Sequence, residues 1–121
     1  MTINDGWAKA AIRLIGAKLD ATAVPPGLAP VAAFGTAQNV IVFPVADDAE
    51  LPLQELLGRL ELFVGEHSED LRLLRRNDHA RLEVFLGWSP AGPQDSVTLA
   101  PSLLSLLAEQ EFGIVIDTYS D

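Results

Sequence analysis

Carboxylates are the most frequent charged side chains in this sequence, and most of those in its middle part occur in two groups. The first group is Asp47, Asp48 and Glu50, and the second is Glu61, Glu66, Glu69 and Asp70. Paired carboxylates can perform general acid–base chemistry when their surroundings separate their pKa values. Both groups lie in polar stretches, so helix capping accounts for the first group and an exposed helix face for the second. We therefore predict that the second group forms an acidic surface that binds another protein.

The other residue types that commonly carry catalysis or metal binding lack a recognisable arrangement. The chain has no cysteine, and His67 and His79 do not stand in a metal-binding spacing such as H-E-x-x-H. No serine lies in a nucleophile elbow, and no glycine-rich phosphate loop is present. We expect both histidines at the surface, and we predict no metal, no cofactor and no enzymatic activity.

The closing segment, GIVIDTYSD, places an aspartate and a tyrosine in and after an apolar run. Period-two alternation puts Val115, Asp117 and Tyr119 on one face of a strand, and Ile114 and Ile116 on the other. If helices cover one face of the sheet, Asp117 lies on the opposite, open face.

Two interpretations of Asp117 follow from this position. The one we favour is structural: Asp117 pairs with Arg13, Lys9 or Arg81 on a neighbouring strand, while Tyr119 covers apolar surface beside it. The alternative is a small ligand-binding or catalytic site on the open face, formed by Arg13, Asp117 and Tyr119.

The net charge of the chain restricts the partners that it can take. Its formal charge of -9 at pH 7 argues against nucleic acid, because phosphate binding needs clustered lysine and arginine. An acidic chain can instead attract a basic protein by electrostatic steering. Residues 1–9 do not resemble a signal peptide, and no apolar run reaches the roughly 20 residues of a membrane span. We expect a cytoplasmic protein with no membrane partner, and the sequence indicates no particular oligomeric state.

Hydrophobic periodicity predicts alternating strands and helices. Alternation predicts strands over 8–15 and 81–88 and from 114 onwards, and a short run that is apolar on both faces predicts a strand over 40–45. Leucines at three- and four-residue steps predict a long helix that is capped by Asp47 or Asp48 and ends or kinks at Gly65. Two further helices are predicted, over 68–76 and from Pro101, and PPGLAP is predicted to be an ordered loop.

These elements predict one domain, residues 1–121, of the α+β class. The expected architecture is a two-layer sandwich. A mostly antiparallel sheet of about four to five strands would carry two or three helices, mainly on one face.

Three segments of the chain share a further pattern. IGAKLD follows the first strand, LPLQELLGRLELFVGEHSEDLRLL is a leucine-rich helical region, and VTLAPSLLSLLAEQEFGIVIDTY closes on I-D-x-Y. In these segments the chain resembles domain-of-unknown-function family 4279, a group of small bacterial proteins. It departs from the family in ATAVPPGLAP, where the family has a helix. The resemblance implies the same layout of helices and strands, and it transfers no catalytic residue.

Small size, acidity and the lack of a catalytic arrangement together indicate a binding protein. We expect an immunity protein that occludes a bacterial toxin, for example a nuclease, whose phosphate-binding cleft is basic. In this interpretation Trp88 is the apolar anchor beside the acidic surface.

Overall fold

Alternating apolar residues on the two longest strands determine where the sheet has its covered face. The structure, a computed structural model, describes residues 6–16, 24–34, 39–75, 80–90 and 96–119. Its strands are β1 (Trp7–Gly16), β2 (Ala33–Phe34), β3 (Val40–Pro44), β4 (Ala80–Ser89) and β5 (Gly113–Thr118). Its helices are α1 (Leu53–Glu66), α2 (Ser68–Arg75) and α3 (Pro101–Glu109).

The described strands form one mixed sheet in the order β2-β3-β1-β4-β5. β1 pairs antiparallel with β3 and β4, and β2 pairs antiparallel with β3. β5 is parallel to β4, which requires a crossover, and α3 provides it. The sheet is thus mostly antiparallel with one parallel edge, and the predicted α+β two-layer sandwich is confirmed.

The hydrophobic core lies between one face of the sheet and the three helices. On the sheet side it contains Ala8, Ala10, Ile12, Leu14, Ile41, Phe43, Leu82, Val84, Leu86 and Trp88. On the helix side it contains Leu56, Leu57, Leu60, Phe63, Val64, Leu71, Leu74, Leu103 and Leu107. Burial of one such leucine or isoleucine stabilises the fold by roughly 1.5–3 kcal/mol, so these two surfaces hold the layers together. The opposite face of the sheet is the open face.

α1 begins later than the sequence predicts. Its N-cap residue is Pro52, and Asp47 and Asp48 lie upstream, in a turn at Val45–Asp48. Ala46, Asp47 and Asp48 adopt the left-handed backbone conformation, with φ of 54°, 53° and 62°. Both aspartates lie upstream of the N-cap position that Pro52 occupies, so neither caps α1. The prediction of an aspartate cap was therefore wrong.

The break between α1 and α2 falls at His67 rather than at Gly65. α1 continues through Gly65 to Glu66, and the amide of His67 donates to the Phe63 carbonyl at 3.0 Å. α2 then has Glu69 and Asp70 in its first turn and Arg72 and Arg75 in its last, which suits the helix dipole. None of the described helices is long and apolar enough to cross a membrane.

The described part of the proline-rich stretch is an ordered loop, as predicted. The Leu28 amide donates to the Pro25 carbonyl at 3.0 Å, and one 3-10 turn follows at Ala29–Val31. The Leu28 side chain is fully buried in the core, so it fastens this loop to the helix layer.

Candidate protein-binding surface on α1

The structure gives different surroundings to the four carboxylates that were predicted to form one acidic surface. Glu61 accepts a hydrogen bond from the Ser102 hydroxyl at 2.8 Å and so links α1 to α3. Glu69 forms an ion pair with Arg72 at 2.7 Å on the same helix. These two carboxylates are therefore already engaged within the helix layer.

Asp70 and Glu66 complete that set, and they differ in their surroundings. The Asp70 carboxylate lies against Gly27 so closely that a methyl group at Gly27 would collide with it. Glu66 is exposed at the last turn of α1, and no described residue forms an ion pair with it. Of the four, Glu66 is the carboxylate best placed to meet another molecule.

The prediction of Trp88 as an interface anchor was wrong. Trp88 is only 7% exposed and lies on the core face of β4, opposite Ala8 of β1. Alternation along β4 places it on the same face as Leu86, so the covering helices shield its indole from any partner.

An exposed leucine on α1 is better placed than Trp88 to be the apolar anchor of a protein-binding surface. Leu62 is 62% exposed, the largest value for a large apolar side chain in the described part of the chain. It shares the solvent-facing side of α1 with Glu55, Gly58, Arg59, Gly65 and Glu66, all of which are exposed. We call these six residues the α1 ridge.

The two glycines of the α1 ridge have no internal reason to be glycine. A Cβ atom at Gly58 or Gly65 would meet nothing within 4 Å, and neither residue has a positive φ. Each glycine nevertheless costs the helix on the order of 1 kcal/mol relative to alanine. They stand four residues before and three residues after Leu62, so they leave the leucine prominent and let another backbone approach α1 closely.

Two shallow grooves flank the α1 ridge. One, of about 190 Å³, lies between α1 and the start of α3 and is lined by Gln54, Leu57, Gly58, Glu61, Thr98, Ala100 and Leu103. The other, of about 170 Å³, is lined by Val45, Ala46, Arg59, Leu62, Phe63 and Glu66. Both are below the roughly 300–1,000 Å³ of small-molecule pockets, so this part of the surface suits side chains of a protein partner.

Charge is distributed unequally between the two layers of the fold. The helices and the residues that follow α3 carry Glu55, Glu61, Glu66, Glu69, Asp70, Glu109 and Glu111 against Arg59, Arg72 and Arg75. The open face and its rim carry Lys9, Arg13 and Arg81 against Asp48, which pairs with Lys9, and against Glu83 and Asp117. Asp47 and Glu50 lie in the connection from β3 to α1. Most of the excess negative charge in the described residues therefore lies on the helix side, together with the α1 ridge.

On the open face, the Arg13 side chain contacts Glu83 and Phe85. Its guanidinium forms an ion pair with Glu83, which is directly opposite on β4, and lies 4.5 Å from the centre of the Phe85 ring. Arg13 is thus held by an ion pair and by a cation–π contact, which leaves it unavailable to Asp117.

Asp117 does not have beside it the arginine that the alternative site requires. Lys9 pairs with Asp48 at 3.5 Å, and no described basic residue forms an ion pair with Asp117, so the favoured pairing was wrong. Asp117 is level with Gly87 on β4, whereas Arg13 is level with Glu83. Four residues along a strand are about 13 Å, so Arg13 and Asp117 do not converge.

Tyr119 does cover apolar surface, as the favoured interpretation proposed. Its ring stacks on Trp7 with centroids 5.5 Å apart and lies over Gly87, where a Cβ atom would be 2.9 Å from the ring. The absence of a side chain at Gly87 thus creates the space that the tyrosine fills.

The described residues contain no group of three histidine, cysteine or acidic side chains that could hold a metal ion. His67 is half-buried and its ring lies 4.5 Å from the Phe63 ring, so it is less solvated than the surface histidine that the sequence predicts. His79 lies outside the described residues.

Comparison with known proteins gives no relative for this chain: no protein-family model, curated protein or solved structure matches it. The resemblance to family 4279 therefore rests on its three segments alone. Sequence reasoning missed Leu62, Gly58 and Gly65, although a signal was present. Leu62 falls outside the leucine spacing of the buried stripe, and both glycines lie on the polar side of a helical pattern.

Proposed function

We propose that this protein binds a basic protein partner through the α1 ridge and neutralises it by occlusion, as a toxin-neutralising immunity protein does. The observation that carries the proposal is the prominent Leu62, set between two helix glycines on the acidic layer. A nuclease toxin is the partner class that this charge favours, because a cleft that binds phosphate is basic.

The residues of the α1 ridge contribute to the proposed binding in different ways, according to their side chains. Leu62 supplies the apolar contact at the centre, and Gly58 and Gly65 let the partner's surface come close enough to exclude water around it. Glu55 and Glu66 lie at the two ends of the ridge, where charge steers a basic partner and adds more to the association rate than to the affinity.

The test is a binding measurement with the protein encoded beside this one, which we expect to contain a basic toxin domain. Glu66→Lys is expected to raise the Kd at least about tenfold, which corresponds to about 1.4 kcal/mol. Asp117→Lys makes the same change in net charge on the open face, and we expect it to change the Kd less than about threefold. Titration calorimetry measures both.

Two results would overturn the proposal. One is the absence of binding by the unaltered protein. The other is an equal loss of affinity in both variants, because that would place the contact elsewhere or reduce it to net charge.

A further inference from the structure

β5 is an edge strand that carries few of the features with which proteins protect such edges. It is the last strand of the described sheet, and it pairs only with β4. Natural edges are commonly protected by lysine, proline or a bulge, and β5 has no lysine and no proline. Ile114, Val115 and Ile116 are 38%, 38% and 39% exposed, so both faces of the strand are apolar at its outer edge.

The backbone of β5 has a fixed pattern of inward and outward groups. The Tyr119 amide donates to the Trp88 carbonyl at 2.8 Å, so residue 119 points its polar groups toward β4. Alternation then directs the backbone amide and carbonyl groups of Val115 and Asp117 toward β4. The same groups of Ile114, Ile116 and Thr118 therefore point outward, away from the sheet. These outward groups form a ladder that another strand can complete.

We propose that β5 binds β5 of a second copy of this chain, antiparallel, about a two-fold axis at Ile116. In that register Ile116 is opposite Ile116 of the second copy, and Ile114 is opposite Thr118. All the outward amide and carbonyl groups of β5 then have partners, as an antiparallel ladder requires. The contact uses the same residues on both copies, as two-fold symmetric interfaces do.

The side chains of β5 fit this register and disfavour the neighbouring ones. Asp117 is opposite Val115 of the second copy, and Tyr119 is opposite Gly113, which has no side chain. A shift of the axis to Asp117 would place two aspartates directly opposite each other, which is destabilising. A shift to Val115 would leave the outward groups of Thr118 without a partner on β5.

The occupant that these observations favour is a second copy rather than an unrelated strand. The β5 edges of the two copies match in their backbone hydrogen-bonding groups and in side-chain volume. Asp117, the only charged residue of β5, is opposite an apolar residue and not opposite a second aspartate. Side chains that are opposite in an antiparallel pair point to the same face, so the joined sheets would carry both helix layers on one side. Both α1 ridges stay uncovered, so the inference does not depend on the proposed function.

A contact through one strand is smaller than a standard protein interface, so the dimer is reversible and depends on concentration. Sedimentation equilibrium from about 10 μM to about 1 mM protein should show a rising average mass. A chain that remains monomeric over this whole range would overturn the proposal.

The position of the two-fold axis gives a sharper test. Ile116→Lys and Ile116→Glu each place two like charges opposite each other, so each variant alone is expected to be monomeric. An equimolar mixture of the two variants pairs opposite charges, and we expect it to form a heterodimer. Leu104→Lys, a change at another exposed apolar residue on α3, should leave self-association unchanged.

The result that contradicts the proposed register is specific. Self-association of Ile116→Lys equal to that of the unaltered protein would show that β5 is not the contact. Failure of the mixture to associate, with both variants folded by circular dichroism, would show that the axis is not at Ile116.

Discussion

Gly87 and Tyr119 show how one missing side chain organises part of the open face. Gly87 is level with Lys9 on β1 and Asp117 on β5, so it forms a bare spot in the middle of three strands. The Tyr119 ring covers this spot and stacks on Trp7, which links the end of β5 to the start of β1. The tyrosine therefore has a structural role that needs no ligand.

Gly87→Ala is expected to destabilise the fold by about 1 kcal/mol, because the new methyl group displaces the Tyr119 ring and breaks its stack on Trp7. Urea unfolding measures the loss. In a Tyr119→Ala background the same substitution should cost much less, since the ring is already absent. An undiminished cost in that background would show that the tyrosine is not what the methyl group disturbs.

Residue types and alternation predict the face on which a side chain lies better than they predict its partner. The sequence correctly places Asp117 and Tyr119 together on one face of the last strand. It does not indicate that Arg13 belongs to Glu83 and Phe85, because that depends on the register between β1 and β4. Trp88 was misplaced for a related reason: the helices cover its face of β4.

At the scale of elements, the turn at Val45–Asp48 determines where α1 begins and forms one wall of a groove. Three consecutive non-glycine residues in the left-handed conformation are costly, up to about 1–2 kcal/mol each. The turn buries Val45 in the core and brings Ala46 beside Leu62 and Glu66. The strain therefore lies next to the proposed binding surface, where such cost is often found.

Asp47→Gly is expected to raise the free energy of unfolding by about 0.5–1 kcal/mol, because glycine adopts a positive φ without steric cost. Thermal unfolding followed by circular dichroism is the measurement. Glu50→Gly provides the matched control, since Glu50 is exposed in the same segment without a positive φ, and it should be neutral or destabilising. Equal effects of the two substitutions would mean that the turn stores no strain.

Periodicity predicts the positions of the longer elements, but it predicts neither the start of α1 nor the short strand β2. The other strands and helices begin and end within a few residues of the predicted bounds. Aspartates before a leucine-rich helix resemble a cap in the sequence, and only the structure shows that a turn holds them upstream of the N-cap position. The parallel pairing of β5 also depends on where α3 returns the chain, which periodicity does not determine.

At the scale of the whole molecule, the two layers divide the surface into an acidic side and a nearly balanced side. Composition predicts the total charge of -9, but only the assignment of residues to layers shows where the described charge lies. The acidic side also holds the α1 ridge, so steering and apolar contact coincide on one surface. The proposed strand pairing uses a different surface, which makes binding and self-association separable.

Gly58 and Gly65 are proposed to lower the stability of α1 while allowing a partner to approach it closely. The most direct measurement compares stability and partner affinity for two double variants, Gly58→Ala with Gly65→Ala and Gly58→Gln with Gly65→Gln. Both pairs should raise the free energy of unfolding, by about 1 kcal/mol or more, because both residue types favour a helix over glycine. The Kd for the proposed toxin partner should rise with side-chain size, at least about tenfold for the glutamine pair. A glutamine pair that is more stable and binds as tightly as the unaltered protein would contradict the account.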